Sequence, residues 1–376
     1  MRLVLDSVGN RYGGGATVLL ELLQAARTLE EIETITVLAS PAASRKFVMP
    51  EWEKLRVIDV ATAESGIGRL RWAAGGLENQ LNALEFDAFL GLNGIGSVQR
   101  RFASLLFIQQ SFPYSSEALR RSPWKVRFRM TGIRWVTRRS ARAADHILVQ
   151  SEAMRATISK AFGIDAGRIS AFLPTAPVLS DRQAKSKRLD IMRAASNRCA
   201  ILYVGNDSPH RNLDVVERGL RQFPEAERPR CFATLPGSSP FCRSGSAVGL
   251  GTLSRDELSE AYRNATLLVM PSLVETVGLP MLEAMRIGTP VLAADRPYAH
   301  EVCEDAAEFF DPLSAGDFVR KARILFADTA RCVSLVERGR RLVERRDKLN
   351  PCRSMLKRVI DVAEEVRRRG MTAANG

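Results

Sequence analysis

Short apolar segments alternate with longer amphipathic ones along most of the chain. The short segments have the length and the β-branched content of buried strands, and the longer ones repeat their apolar residues at helical spacing. This β-α-β rhythm predicts parallel sheets with helices on both faces, a doubly wound α/β architecture. The predicted strands are 2–8, 34–39, 55–59, 88–92, 104–108, 144–151, 200–204, 230–235, 265–270 and 290–294.

Two domains are expected, because 376 residues are too many for one compact core of ordinary size. A stretch rich in proline, serine and charged residues, from Pro174 to Lys187, is typical of a linker. We therefore predict a Rossmann-like N-terminal domain over residues 1–175 and a second Rossmann-like domain over residues 188–350. Residues 351–376 are predicted to form a C-terminal helix.

Ligands of doubly wound sheets bind beyond the carboxyl ends of the strands, so the strand-to-helix turns are the places to search for a site. The turn after the strand 265–270 contains Glu275, then Gly-Leu-Pro at 278–280, and a helix that carries Glu283. The first amides of a helix have no intrahelical partner and favour an anion, and Gly278 has no side chain to block its approach. The carboxylate of Glu283, about one turn further on, can accept both hydroxyls of a ribose.

This stretch resembles the donor site of family 4 retaining glycosyltransferases. Their signature is two glutamates separated by seven residues, and it is matched by Glu275 and Glu283, with Pro-Ser before the pair and Gly-Thr-Pro at 288–290 after it. The resemblance implies the GT-B fold, two Rossmann-like domains that face a central cleft. It also implies a retaining, metal-independent transferase that uses a UDP or GDP sugar, and a last helix that crosses back to the N-terminal domain. It covers nearly the whole chain, densely from 200 to 312 and thinly before 100.

The resemblance also implies roles for single residues. Glu275 is the candidate catalytic residue, either as a nucleophile or as electrostatic support for the donor sugar. Gln109 stands where the family often has a histidine and Asn206 where it usually has an arginine, so Arg211 is the strong cation expected at the donor diphosphate. The candidate donor-binding residues are Gly14, Gly15, Gly205, Arg211, Leu253, Glu275, Gly278, Leu279, Pro280 and Glu283, and the candidate acceptor-side residues are Gln109, Gln110 and Tyr114.

Residues 118–144 contain nine arginines and lysines and no acidic residue. Trp124, Phe128 and Trp135 fall on one face of the helix that this segment predicts. Cations and large aromatics together favour the surface of an anionic membrane. The alternative is a domain helix whose Ile133 and Val136 pack on the sheet while its arginines reach solvent. In that case the three aromatics would belong to the domain core. The sequence leaves both interpretations open.

The formal net charge of +13 attracts polyanions without selecting among them, and no nucleic-acid-binding motif is present. Three histidines, and six cysteines without C-x-x-C spacing, predict neither a metal site nor a cofactor. No apolar run has the length of a membrane span, and the strand-like N-terminus differs from a signal peptide. We therefore expect a cytoplasmic protein, peripheral on the inner face of the plasma membrane if residues 118–144 bind lipid.

The expected function is transfer of a sugar from a nucleotide-diphosphate sugar to a growing glycan, such as a bacterial cell-surface polysaccharide or lipopolysaccharide carried on a lipid. Two alternatives remain at this stage. A non-enzymatic polyanion-binding protein with the same fold is supported by the departures at Gln109 and Asn206 and opposed by the retained glutamates. A sugar-nucleotide epimerase of related fold would act on the donor alone.

Overall fold

The computed structural model describes residues 1–9, 14–41, 51–61, 68, 71–177, 179, 184, 186–194 and 199–374. Contacts divide the chain into two compact units. The first unit contains Met1–Tyr114, Lys125–Pro174 and Asn350–Gly376, and the second contains Ser115–Trp124 and Thr175–Leu349.

A parallel sheet forms the centre of the first unit, because its strands are apolar on both faces and helices cover them. The strand order is β3-β2-β1-β4-β5-β6-β7. The strands are β1 (Arg2–Asp6), β2 (Thr34–Ala39), β3 (Leu55–Asp59), β4 (Ala88–Gly91), β5 (Ala103–Ile108), β6 (His146–Val149) and β7 (Ile169–Ala171). The helices in this part of the chain are α1 (Gly14–Ala26), α2 (Leu77–Asn82), α3 (Ser116–Arg120), α4 (Trp124–Ala143) and α5 (Glu152–Phe162). A π turn (Trp72–Gly76) leads into α2, and 3-10 turns lie at Phe112–Tyr114 and Ala166–Arg168. Of these helices, α3 belongs to the second unit.

The core of the first unit is completed from a distant part of the sequence. Helix α14 (Pro351–Ala374) packs on α1 and on the sheet. Its side chains Met355, Leu356 and Val359 are buried in the same apolar cluster as Leu19 and Leu22 of α1. Burying a leucine-sized side chain contributes about 1.5–3 kcal/mol, so this helix is a substantial part of the stability of the unit.

The second unit repeats the architecture around a parallel sheet with strand order β10-β9-β8-β11-β12-β13. Its strands are β8 (Ala200–Tyr203), β9 (Arg230–Ala233), β10 (Val248–Gly249), β11 (Leu267–Met270), β12 (Val291–Ala294) and β13 (Glu308–Phe310). Its helices after residue 175 are α6 (Lys187–Arg193), α7 (Leu213–Leu220), α8 (Pro240–Arg243), α9 (Arg255–Arg263), α10 (Leu279–Ile287), α11 (Pro297–Cys303), α12 (Ala315–Ala327) and α13 (Thr329–Asp347), with a 3-10 turn at Pro209–Arg211.

The predicted class, two doubly wound α/β domains with parallel sheets, is confirmed. Strands β7, β10 and β13 were not predicted, because each is only two or three residues long and too short for a periodic pattern. The apolar spacing from Ala16 to Leu23 predicts a helix, and α1 contains this segment but is longer, Gly14–Ala26. The predicted linker from Pro174 to Lys187 lies partly outside the described residues.

Candidate functional site

The turn after β8 is shaped by Gly205. A Cβ atom at this position would lie 2.7 Å from the hydroxyl oxygen of Tyr203. That hydroxyl donates to the carbonyl oxygen of Asn206 at 2.5 Å, and the Gly205 amide donates to Oγ1 of Thr234 at 3.0 Å. Asn206 itself is exposed, and its side-chain oxygen accepts the amide of Ser208 at 3.1 Å. The side chain at 206 therefore supports the local backbone of the turn and brings no charge to it.

Asn212 fixes the end of this turn. It adopts a left-handed conformation with φ of 55°, which asparagine tolerates better than most residues. Its buried amide nitrogen Nδ2 donates to the carbonyl oxygens of Pro271 at 3.2 Å and Pro312 at 2.8 Å. The amide of Leu273 donates to the carbonyl oxygen of His210 at 2.9 Å. These bonds hold the 3-10 turn against the loops that follow β11 and β13, so Arg211 stands at the carboxyl end of the sheet.

Arg211 and Glu275 form a close ion pair between Nη1 of the guanidinium and Oε1 of the carboxylate. Their side chains are only 18% and 11% exposed, so solvent screens the pair weakly. The Nε of Arg211 and the Oγ of Ser272 are buried and have no hydrogen-bond partner within the described part of the chain. Buried polar atoms are nearly always partnered, so these two atoms mark a place where a polar ligand can bind.

His210 adds no positive charge beside this pair. Burial, and then the neighbouring Arg211, lower the pKa of the His210 imidazole to about 4. The ring is therefore neutral at pH 7, and Arg211 remains the fixed cation that the turn presents.

Helix α10 begins at Leu279, where the Gly-Leu-Pro pattern predicts it. Gly278 is the N-cap residue with φ of 80°, a conformation that glycine adopts without strain. A Cβ atom there would lie 2.7 Å from Cε of Met281 and 3.7 Å from Cγ of Glu275. Pro280 lies in the first turn, where its missing N–H is no loss. The left-handed backbone is therefore what requires glycine at 278, since the contact with Glu275 would be an ordinary one.

Glu283 lies on α10 and is held by Tyr262 of α9, whose hydroxyl donates to Oε2 at 2.7 Å. Burial raises the pKa of the Glu283 carboxyl, while the Tyr262 hydrogen bond and the charge of Arg255 act in the opposite direction. One carboxylate oxygen, Oε2, therefore already accepts a hydrogen bond from within the protein. The sequence predicts that this carboxylate accepts two ribose hydroxyls, but it gives no local signal for Tyr262.

Leu253 is half-buried and directly precedes α9. The next residue, Ser254, caps this helix through a capping box with Glu257, as its spacing predicts. The cap fixes the backbone at the place where the resemblance puts the nucleotide base.

The predicted acceptor-side residues come together in the first unit. Gln109, Gln110 and Tyr114 line one small pocket of about 30 Å³, with Ile133 and Thr137 of α4 among its other lining residues. Burial raises the pKa of the Tyr114 phenol to about 12, although a hydrogen bond with Thr137 opposes the rise, so the phenol is neutral. The pocket therefore offers neutral hydrogen-bonding groups, the kind that suits sugar hydroxyls.

Gln109 is partly used by the protein itself, because its Nε2 donates to the carbonyl oxygen of Leu92 at 2.8 Å. Gly14 and Gly15, which the resemblance implies as donor-binding residues, lie in the first turn of α1. The preceding residues 10–13, which include Gly13, lie outside the described residues.

Helix α4 exposes its large aromatics. Trp124, Phe128 and Trp135 are 71%, 79% and 65% exposed, whereas Met130 and Thr137 belong to its buried face. The interpretation that places these three aromatics in the domain core is therefore wrong. In the described ranges, no helix is both long enough and apolar enough to cross a membrane.

Comparison with known proteins finds a family match in the second unit. Residues 189–342 match the family model described as Glycosyl transferases group 1, and this match confirms the resemblance for that part of the chain. Sulfoquinovosyl transferase SQD2 of Arabidopsis thaliana is 29% identical over 158 residues, 39% of this chain and 30% of that protein. O-antigen chain mannosyltransferase RfbU of Salmonella typhimurium is 25% identical over 190 residues, 48% of this chain and 50% of that protein. The chain thus matches half or less of the length of these relatives.

Solved structures share the fold of nearly the whole chain. Sucrose-phosphate synthase from Thermosynechococcus elongatus superposes with a TM-score of 0.74 at 17% identity, over 96% of this chain and 100% of that one. HepE from Anabaena, solved in complex with UDP-glucose, superposes with a TM-score of 0.67 at 14% identity, over 99% of this chain and 100% of that one. At such low sequence identities the similarity shows the fold alone. The predicted GT-B fold class is confirmed.

Proposed function

We propose that this protein is a retaining, metal-independent glycosyltransferase. In this proposal it moves a sugar from a UDP or GDP sugar to a growing glycan. The observation that carries the proposal is the largely buried ion pair of Arg211 and Glu275, set at the carboxyl end of the sheet in the part of the chain that matches the group 1 family model. Arg211 is the cation for the leaving diphosphate, and amides at the start of α10 add partial positive charge. Glu275, held beside that cation, is the carboxylate for the donor sugar.

Glu283 is the ribose-binding group in this proposal. Its orientation is fixed by Tyr262, so the carboxylate is positioned before the nucleotide arrives. HepE, which shares the fold, is described in complex with UDP-glucose, and this supports a nucleotide sugar as the donor.

Nucleotide binding is the first test. UDP or GDP should raise the melting temperature of the protein, because a ligand that binds only the native state stabilises it. Transfer is then measured with labelled nucleotide sugars, a glycan acceptor and added chelator, and the anomeric configuration of the product is read by NMR. Inversion of configuration, or activity abolished by chelator, contradicts the corresponding part of the proposal. Polyanion binding without nucleotide binding favours the non-enzymatic alternative, and donor conversion without an acceptor favours the epimerase.

The acceptor is proposed to be a lipid-linked glycan at the cytoplasmic face of a bacterial membrane. Helix α4 supports this assignment, because Ile133 and Thr137 line the acceptor-side pocket while Trp124, Phe128 and Trp135 are exposed among arginines. Near an anionic leaflet each surface cation contributes on the order of 1 kcal/mol, screened over a Debye length. The relative RfbU is an O-antigen chain mannosyltransferase, which agrees with a cell-surface polysaccharide.

Vesicle flotation tests this membrane surface. The protein should bind vesicles with anionic lipid at low salt and should release them at high salt. Changing Arg120, Arg121, Lys125 and Arg129 to serine should weaken binding, and the same number of changes on α13, at Arg331, Arg338, Arg341 and Arg345, is the matched control for lost charge. Absent binding at low salt, or equal weakening by both sets, makes a soluble acceptor the better assignment.

A further inference from the structure

The turn that carries Arg211 holds little net positive charge. Arg211 is paired with the carboxylate of Glu275, His210 is neutral at pH 7, and Asn206 is uncharged. A nucleoside diphosphate carries several negative charges, and these favour more than one cation in a partly buried site. A second cation for the phosphates therefore has to come from another element of the second unit.

Arg296 is the cation that the structure brings to this place. It lies in the turn after β12, directly before α11, and its side chain is only 23% exposed. Its Nη2 donates to both carboxylate oxygens of Glu117, at 3.1 and 3.3 Å. Its Nε is buried and has no hydrogen-bond partner within the described ranges, the same condition as Nε of Arg211.

Several contacts place Arg296 close to Arg211. Glu117 is on α3, and α3 packs against the 3-10 turn that ends in Arg211. Tyr298, two residues after Arg296, donates its hydroxyl to the carbonyl oxygen of Ser272 at 2.9 Å, beside the loop that carries Glu275. Burial raises the pKa of the Tyr298 phenol, and the charges of Arg211 and Arg296 both oppose that rise, so both guanidinium groups are near this ring.

We propose that Arg296 is the second cation of the donor-diphosphate site and that Glu117 occupies its guanidinium until phosphate replaces the carboxylate. The inference rests on the proposed function, since it specifies how the same donor is bound. Phosphate and carboxylate accept the guanidinium fork in the same manner, so the exchange preserves the hydrogen bonds of Arg296. Arg296 then supplies the charge that Asn206 does not.

The test compares four proteins by calorimetry: wild type, Arg296→Gln, Glu117→Gln and the control Arg323→Gln. Arg323 also pairs with a carboxylate, that of Glu227 at 3.0 Å, but Glu227 precedes β9 and so lies toward the amino ends of the strands. The probes are UDP, GDP, their nucleosides and inorganic pyrophosphate. Arg296→Gln should bind the diphosphate that stabilises the wild type about tenfold more weakly and its nucleoside equally well. Glu117→Gln should bind that diphosphate about twofold to fivefold more tightly, because the competing carboxylate is gone.

Three results overturn the inference. Equal diphosphate affinity of Arg296→Gln and wild type removes Arg296 from the site and leaves nucleotide binding, and so the proposed function, intact. Equal losses for diphosphate and nucleoside, or unchanged or weaker diphosphate binding by Glu117→Gln, show that the pair has only a structural role. A wild-type protein that binds none of the probes overturns the proposed function together with this inference. If Arg296→Gln does not fold, Glu117→Gln decides, because it keeps both arginines.

Discussion

The two candidate sites of this protein differ in the kind of interaction they offer. The donor-side group of the second unit contains a largely buried ion pair, Arg211 with Glu275, and a carboxylate with a raised pKa, Glu283. The pocket of the first unit is lined by side-chain amides, a hydroxyl and a phenol that stays neutral, Tyr114, together with three apolar side chains. One site is built on fixed charge, and the other on neutral hydrogen bonds.

This difference matches the chemistry of the two proposed substrates. Every nucleotide sugar presents a diphosphate and a ribose, so the donor side needs cations and a carboxylate at fixed places. Glycan acceptors present uncharged hydroxyls in many arrangements, and neutral groups suit them. The same difference explains what the sequence indicates. Charged residues at fixed places identify the donor side, whereas the neutral residues of the acceptor side are identified only by their position.

The largest effect expected is on the diphosphate. Arg211→Ala removes the cation of the pair and leaves the Glu275 carboxylate to repel phosphate, so affinity for the nucleoside diphosphate should fall by about 100-fold. Affinity for the nucleoside should change little. Arg218→Ala, which breaks an exposed ion pair with Asp214 on the neighbouring α7, is the control. Equal losses for diphosphate and nucleoside in calorimetry would contradict the phosphate role of Arg211.

Glu283 should behave differently, because the nucleoside itself carries the ribose. Glu283→Ala should weaken binding of both the nucleoside and its diphosphate by about tenfold or more, since a hydrogen bond to a charged group is worth about 1.5–3 kcal/mol. Tyr262→Phe, which removes only the positioning hydroxyl, should lose less. Unchanged affinity in a folded Glu283→Ala protein rules out the ribose assignment.

The same carboxylate predicts a dependence on pH. The pKa of Glu283 is raised by burial, so in the free protein it takes up a proton at a higher pH than an ordinary glutamate does. Only the ionised carboxylate can form charge-assisted hydrogen bonds with ribose hydroxyls, so nucleotide affinity should be full above this pKa and should fall as the pH drops through it. A nucleotide sugar is the right probe, because its esterified diphosphate does not titrate near neutral pH. If nucleotide affinity still falls at low pH in the Glu283→Gln protein, another group is responsible for the pH dependence.

The smallest effect is expected at the acceptor-side pocket, on kcat/KM for the acceptor. Tyr114→Phe removes one neutral hydrogen-bonding group from the acceptor-side pocket, at a cost of about 1 kcal/mol, or roughly fivefold in kcat/KM for the acceptor. Nucleotide affinity should stay at the wild-type value, because the pocket belongs to the other unit. A matching loss of nucleotide affinity would mean that the two sites do not divide the substrates as proposed.

Local signals in the sequence were sufficient for much of the fold and for the start of the donor site. The capping box of Ser254 and Glu257 and the turn at Gly278 each involve residues a few positions apart, so their chemistry is visible in the sequence. The strand pattern gave the two parallel sheets for the same reason.

Contacts between distant residues could not be predicted in this way. Glu117 and Arg296 are separated by 179 positions, and nothing in either segment indicates that they pair. The hydrogen bond from Trp72 to the buried Asp6 spans 66 positions. Helical spacing placed Trp124 and Phe128 on one face of a helix, but only the surrounding structure decides whether that face is buried or exposed.

The position of α14 has a consequence for synthesis of the protein. During translation, domains generally fold in the order in which they leave the ribosome. Here the core of the first unit lacks Met355, Leu356 and Val359 until the second unit has already emerged. We therefore expect the second unit to become protease-resistant first on stalled ribosomes. Meanwhile the apolar side of α1 stays open to chaperones until the last helix closes over it.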